Sequence, residues 1–180
     1  MEGSNLYWTK STNTSTSTES TIVKVGGQSL KIAASGAVED EVVKKTFSSN
    51  QDLSAFERIG FWIYADRLAT STATTTQLLS FSYRDTGGTE TTSTISFQEE
   101  DRWQYQEITL TSTAADKDAI SYIQFRIDFN NLGAINFYID QIRAYDDTER
   151  TAEMFVGQDG SLIVFGRGGV EIGRADGSSN

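Results

Sequence analysis

With no histidine and no cysteine, the sequence lacks the side chains behind most catalysis near neutral pH. There is no Ser–His or Cys–His pair to form a nucleophile, no imidazole base, and no thiolate or imidazole to hold zinc or iron. What remains is carboxylate chemistry. Acidic runs stand at Glu39–Glu41, Glu99–Asp101 and Asp146–Asp147, and two carboxylates at a suitable separation can hydrolyse a glycosidic bond. These runs fall between apolar segments, where solvated charges belong. A single domain of this size also seldom builds the deep cleft a glycosidase needs, so the chain reads as non-enzymatic. Among metals, the abundance of carboxylates leaves calcium open, through oxygen ligands alone.

Charge narrows the partners. A net charge of -10 and a pI near 4.4, with 15 scattered basic residues, give the wrong sign for tracking phosphates, so no nucleic-acid partner is expected. No apolar run approaches the roughly 20 residues of a membrane helix, and no membrane insertion is expected. The opening "MEGSNLYWTKSTN" has neither the basic nor the apolar region of a secretion signal.

The elements that must position any site read as strands. Runs rich in β-branched and aromatic residues ("TIVKV", "SLKIAA", "EVVKKTF", "IGFWIYA", "QLLSFSYR", "TTSTISFQ", "YQEITL", "AISYIQFRIDF", "INFYIDQIRAY") are separated by Gly, Asp, Asn and Ser, the pattern of a sandwich or barrel. Ile123, Phe125, Ile127 and Phe129 share one face, with Gln124, Arg126 and Asp128 on the other. Leu79, Phe81 and Tyr83 share a face, as do Ile95 and Phe97. "IGFWIYA" is apolar on both faces and predicts a central strand covered on its second side. "RDTGGTE" (Arg84–Glu90) predicts a hairpin loop. The polar runs Ser11–Ser20 and Thr70–Thr76 predict loops or exposed edges.

Four motifs, "GGQSLKI", "DLSAFERIGFWIYAD", "RWQYQEITL" and "FYIDQIRAY", occur in an order that resembles the jelly-roll carbohydrate-binding modules of the galactose-binding-like superfamily, over about residues 1–147. The opening "MEGSNLYW" is similar to that family's first strand. The resemblance implies an all-β antiparallel jelly-roll β-sandwich, with residues 1–150 as that domain. It also implies a structural calcium held by Glu2 and Asp140. On strict alternation Asp140 shares its face with Tyr138, Ile142 and Ala144, so a partly buried carboxylate needs a cation, backbone N–H donors, or a pairing Arg or Lys. Among the aromatics, Trp62 and Trp103 are expected in the core, while Trp8, Tyr83, Tyr105 and Tyr122 are less committed. Tyr105 and Tyr122 fall out of phase with their strands' apolar faces, which makes them the candidates for stacking on a sugar.

Residues 151–180 form a Gly-rich tail. Asp159-Gly160 predicts a hairpin between "MFV" and "LIVF", and "VEI" adds a third strand. Such a ribbon is marginal without cover, so Phe155, Leu162, Val164 and Phe165 are the expected assembly contacts, either on the chain's own sandwich or on another chain. This style of segment loosely resembles bacteriophage appendage and decoration proteins. The expectation is therefore a virion structural protein, a capsid decoration, head fibre or tail appendage on the virion surface. Its partners would be other virion proteins or copies of itself, with glycans as further ligands. The alternative is an extracellular, calcium-stabilised carbohydrate-binding module of a secreted polysaccharide-degrading system.

Overall fold

Period-two alternation dictates the layers, because every second residue of a strand must find apolar cover. The computed structural model describes residues 8–35, 40–66, 77–96, 99–110, 113–127 and 134–146, and the strands at 153–156, 162–166 and 169–173. Among these residues lie two five-stranded sheets and one of three strands. The first sheet runs β1 (Trp8–Lys10), β4 (Val42–Gln51), β9 (Ile120–Ile127), β6 (Gln77–Asp85), β7 (Glu90–Ser96). The second runs β2 (Thr14–Glu19), β3 (Ser29–Ser35), β10 (Ala134–Tyr145), β5 (Arg58–Ala65), β8 (Gln104–Thr109). From β3 to β6 successive strands alternate between the sheets, and the fold is an antiparallel jelly-roll sandwich.

The inward rows meet as the sequence pattern requires. Leu30, Ile32, Ile59, Phe61, Ile63, Ile135, Phe137 and Ile139 of the second sheet face Val43, Leu79, Phe81, Tyr83, Ile123, Phe125 and Ile127 of the first. Phe61 bridges the layers, with its ring centroid 5.6 Å from Phe81 and 5.4 Å from Phe125. Tyr83 belongs to this core, and Trp8 packs at its edge, 6.1 Å from Phe125. Phe97, Phe129 and the run Thr70–Thr76 lie outside the described residues. The Ser11–Ser20 run contains β2, an edge strand whose short polar side chains suit a sheet margin. The β6–β7 turn is closed by Asp85, whose Oδ2 accepts the Gly87 N–H at 2.8 Å.

Strict alternation fails in β10. Gln141 has φ 52, and the inward row of β10 passes from Ile139 to Ile142 and Ala144, both packed on the core, three residues on instead of two. This is a β-bulge, which inserts one residue and switches the faces beyond it. The expectation that Asp140 shares its face with Ile142 and Ala144 is thereby corrected. Asp140 and Tyr138 face outward from the second sheet, while Ile142 and Ala144 face in.

The chain divides into a unit ending at Ala144 and a second from Tyr145. The second unit carries β11 (Glu153–Val156), β12 (Leu162–Gly166) and β13 (Gly169–Gly173), antiparallel in that order. Phe155 pairs with Ile163 and Ile163 with Ile172, while Met154 pairs with Val164. By register Phe155 and Phe165 share one face of the ribbon, and Leu162 and Val164 the other. The Asp159-Gly160 turn lies outside the described residues.

Candidate functional site

The structure places Tyr105 and Tyr122 on opposite outer faces of the sandwich. Tyr122 projects from β9 because its neighbour Ile123 is committed to the core. Register brings Arg84 of β6 and Thr46 of β4 opposite it. Its hydroxyl donates to Glu90 Oε2 at 2.9 Å, and Lys44 Nζ stands 5.0 Å from its ring centroid. Glu90 Oε1 also accepts from Ser82 Oγ and Gln124 Nε2, each at 2.9 Å. Burial, opposed by Arg84 and reinforced by Glu90, pushes the Tyr122 phenol up, while the Tyr122 hydrogen bond raises the Arg84 guanidinium. On the same face Ser80, 2% exposed, has no hydrogen-bond partner for its Oγ among the described residues. The result is one aromatic ring within a patch of alternating donors and acceptors, the chemistry that hydroxylated ligands require.

The second face is richer in rings. Trp62 and Tyr64 point outward from β5, since Phe61 and Ile63 fill the core. Tyr105 of β8 is the register partner of Trp62, and their rings lie 5.2 Å apart. Tyr64 contacts Trp103 at 5.7 Å and Tyr138 at 5.4 Å. Trp62 and Trp103, expected in the core, are instead half-buried on this face. β5 is apolar on both sides because its second side forms part of an aromatic layer. Tyr64 donates to Asp101 Oδ1 at 2.9 Å, and burial together with that carboxylate pushes its phenol up to about 12.

Asp140 organises the edge of this layer. Its Oδ2 accepts the backbone N–H groups of Lys24 and Val25, each at 2.9 Å. The β2–β3 loop is so held against the sheet, helped by Ser29 Oγ donating to the Ile22 carbonyl at 2.6 Å, and Lys24 Nζ comes to rest 4.2 Å from the Trp62 ring centroid. The second expected calcium ligand, Glu2, lies outside the described residues. No group of three or more carboxylates able to hold a metal occurs among those described. These two amide donors satisfy Oδ2 of the buried carboxylate. The assembly candidates Phe155, Leu162, Val164 and Phe165 lie on β11 and β12, and their side chains are outside the described residues. A cavity of about 330 Å³ near Asn13, Ser15, Ala33 and Asn136 has no charged or aromatic lining among the described residues.

The signal for the first patch was absent from local sequence. Glu90 and Tyr122 are 32 residues apart and meet through the β7–β6–β9 register. The signal for the second was present as Trp62, Tyr64, Trp103 and Tyr105, two residues apart on paired strands.

No protein-family model matches the chain, and no curated protein does. Solved structures do. The family 30 carbohydrate-binding module of a cellulosomal cellulase from Clostridium thermocellum superposes with a TM-score of 0.63 at 13% identity, covering 82% of this chain and 95% of that one. The family 11 module from Clostridium thermocellum, in complex with a β-1,3-1,4-mixed-linked tetrasaccharide, gives 0.57 at 18% identity, covering 78% and 89%. An exo-β-agarase gives 0.61 at 13% identity, covering 82% of this chain and 24% of that one. At these identities the likeness concerns the fold, a jelly-roll β-sandwich shared with carbohydrate-binding modules.

Proposed function

We propose that the chain is a non-catalytic glycan-binding sandwich whose primary platform is the outer face of the first sheet at Tyr122. The observation that carries this reading is the patch itself: a half-buried ring ringed by Glu90, Gln124, Arg84 and Lys44. Sugar hydroxyls both donate and accept, and this patch offers both in fixed positions. The extracellular, module-like alternative is favoured over the virion reading, because the fold's neighbours include modules described as carbohydrate-binding. Affinity electrophoresis against soluble mixed-linked β-glucan and agar oligosaccharides tests it. At least one should retard the protein, and Tyr122→Ala should weaken that binding about tenfold, as truncation of a central aromatic anchor does. The reading falls if no probe is bound, or if Tyr122→Ala binds as tightly as the parent.

A second reading, attachment to copies of itself or to other proteins of a particle, is supported by the register of the ribbon. Apolar residues occupy both faces of a three-stranded sheet, and one layer of cover cannot satisfy two faces. Its test is the association state of the full chain beside a chain ending at Asp147.

A further inference from the structure

The Trp62 face carries a feature that a plain packing layer does not need. Lys24 stands 4.2 Å from the Trp62 ring, and Lys31, register partner of Tyr138, stands 5.6 Å from that ring. Neither lysine forms an ion pair among the described residues, in a chain of net charge -10 with carboxylates to spare. The cationic neighbour Arg58 on the same face is by contrast neutralised by Glu107 at 2.6 Å. An ammonium against an aromatic face has exchanged part of its hydration for the ring quadrupole. A neutral ligand leaves that charge as it is, whereas an anion gains a charge-assisted hydrogen bond from it.

From the geometry we infer that this face is a second binding site, distinct from the Tyr122 platform, for an acidic polysaccharide. A sugar ring stacks along the Trp62–Tyr105 pair while its carboxylate or sulfate takes the Lys24 ammonium, and Lys31 receives the acid group of a neighbouring residue. The rings lie on adjacent strands, inclined to one another by 57°, 58° and 83°, so the layer presents an extended aromatic surface that a linear polymer can follow. Lys24 is placed in advance: Asp140 fixes its backbone and that of Val25, which reduces the ordering cost on binding. Asp140 is here a positioning residue and touches no ligand.

The experiment uses the full chain with polygalacturonate, dextran sulfate and unsubstituted dextran, followed by calorimetry at low and high salt. Binding to at least one of the two acidic polymers is expected, weakening with salt, with little or none to dextran. The two acidic arms separate carboxylate from sulfate as the group recognised. Lys24→Gln should weaken the acidic interaction several-fold and Trp62→Ala at least tenfold, whereas Tyr122→Ala should leave it unchanged. Melting curves of each variant establish that it is folded; where Trp62→Ala is not, Lys24→Gln alone decides. The inference is overturned if neither acidic polymer binds, if dextran binds equally well, or if folded Lys24→Gln retains full affinity. Because the primary platform is read through Tyr122→Ala on neutral glycans, failure of either site leaves the other standing.

Discussion

Asp140 is 6% exposed, and what it holds is backbone. Two amides 24 and 25 converge on one oxygen, so the side chain acts as the clamp for the β2–β3 loop and, through it, for Lys24. Truncation to Ala leaves both N–H groups without their acceptor and frees the loop. A loss of about 1–3 kcal/mol is expected from an unfolding curve, the net worth of amide hydrogen bonds to a charged acceptor. Since amides already satisfy this oxygen, EDTA should leave the melting temperature where it is. A fall on chelation that calcium restores in the parent but not in Asp140→Ala would instead place a cation at this carboxylate. At this scale the sequence was partly legible. That Asp140 is a carboxylate needing partners followed from its apolar surroundings, but amides 115 and 116 residues away in sequence leave no local trace.

The element that shapes this site is β10, through its bulge. Gln141 adopts φ 52, a left-handed conformation that costs a residue with a Cβ roughly 1–2 kcal/mol and costs glycine little. Gln141→Gly should therefore be neutral or stabilising by up to about 1 kcal/mol, after glycine's greater chain entropy is counted. Gln141→Val, β-branched and least tolerant of this region, should destabilise by about 1–2 kcal/mol. Urea midpoints at unchanged slope measure both. Equal effects of the two substitutions would mean that the bulge is not what fixes the switch of faces. The bulge also shows why strands were easier to read than faces. Alternation located β6 and β9, since burial forces it, while β5 stood out as a continuous apolar run. Nothing about glutamine signals positive φ, so the face beyond residue 141 was assigned with the wrong parity. In the same way a double-sided apolar run such as "IGFWIYA" cannot say which side is core; Phe61 took the interior and Trp62 the outer layer.

For the whole molecule, the sandwich contains the means of its own stability. Its buried cluster runs from Leu30 to Ile139, with Ile142 and Ala144 packed against it, and Phe61, Phe81 and Phe125 tie the two layers together. Everything from Tyr145 onward belongs to the second unit. A chain ending at Asp147 retains all of that cluster and both outer faces, and is expected to melt within a few degrees of the parent and to keep its glycan binding. The ribbon is far smaller, three strands of four or five residues, at the lower limit of what a sheet needs to be stable alone in water. If it serves attachment, sedimentation should show the full chain associating and the shortened chain monomeric, with the melting temperature of the full chain alone rising with concentration, as linkage between folding and assembly requires. Were both chains monomeric at all concentrations, self-association would be excluded. A large loss of stability in the shortened chain would identify the ribbon as part of the sandwich's own packing.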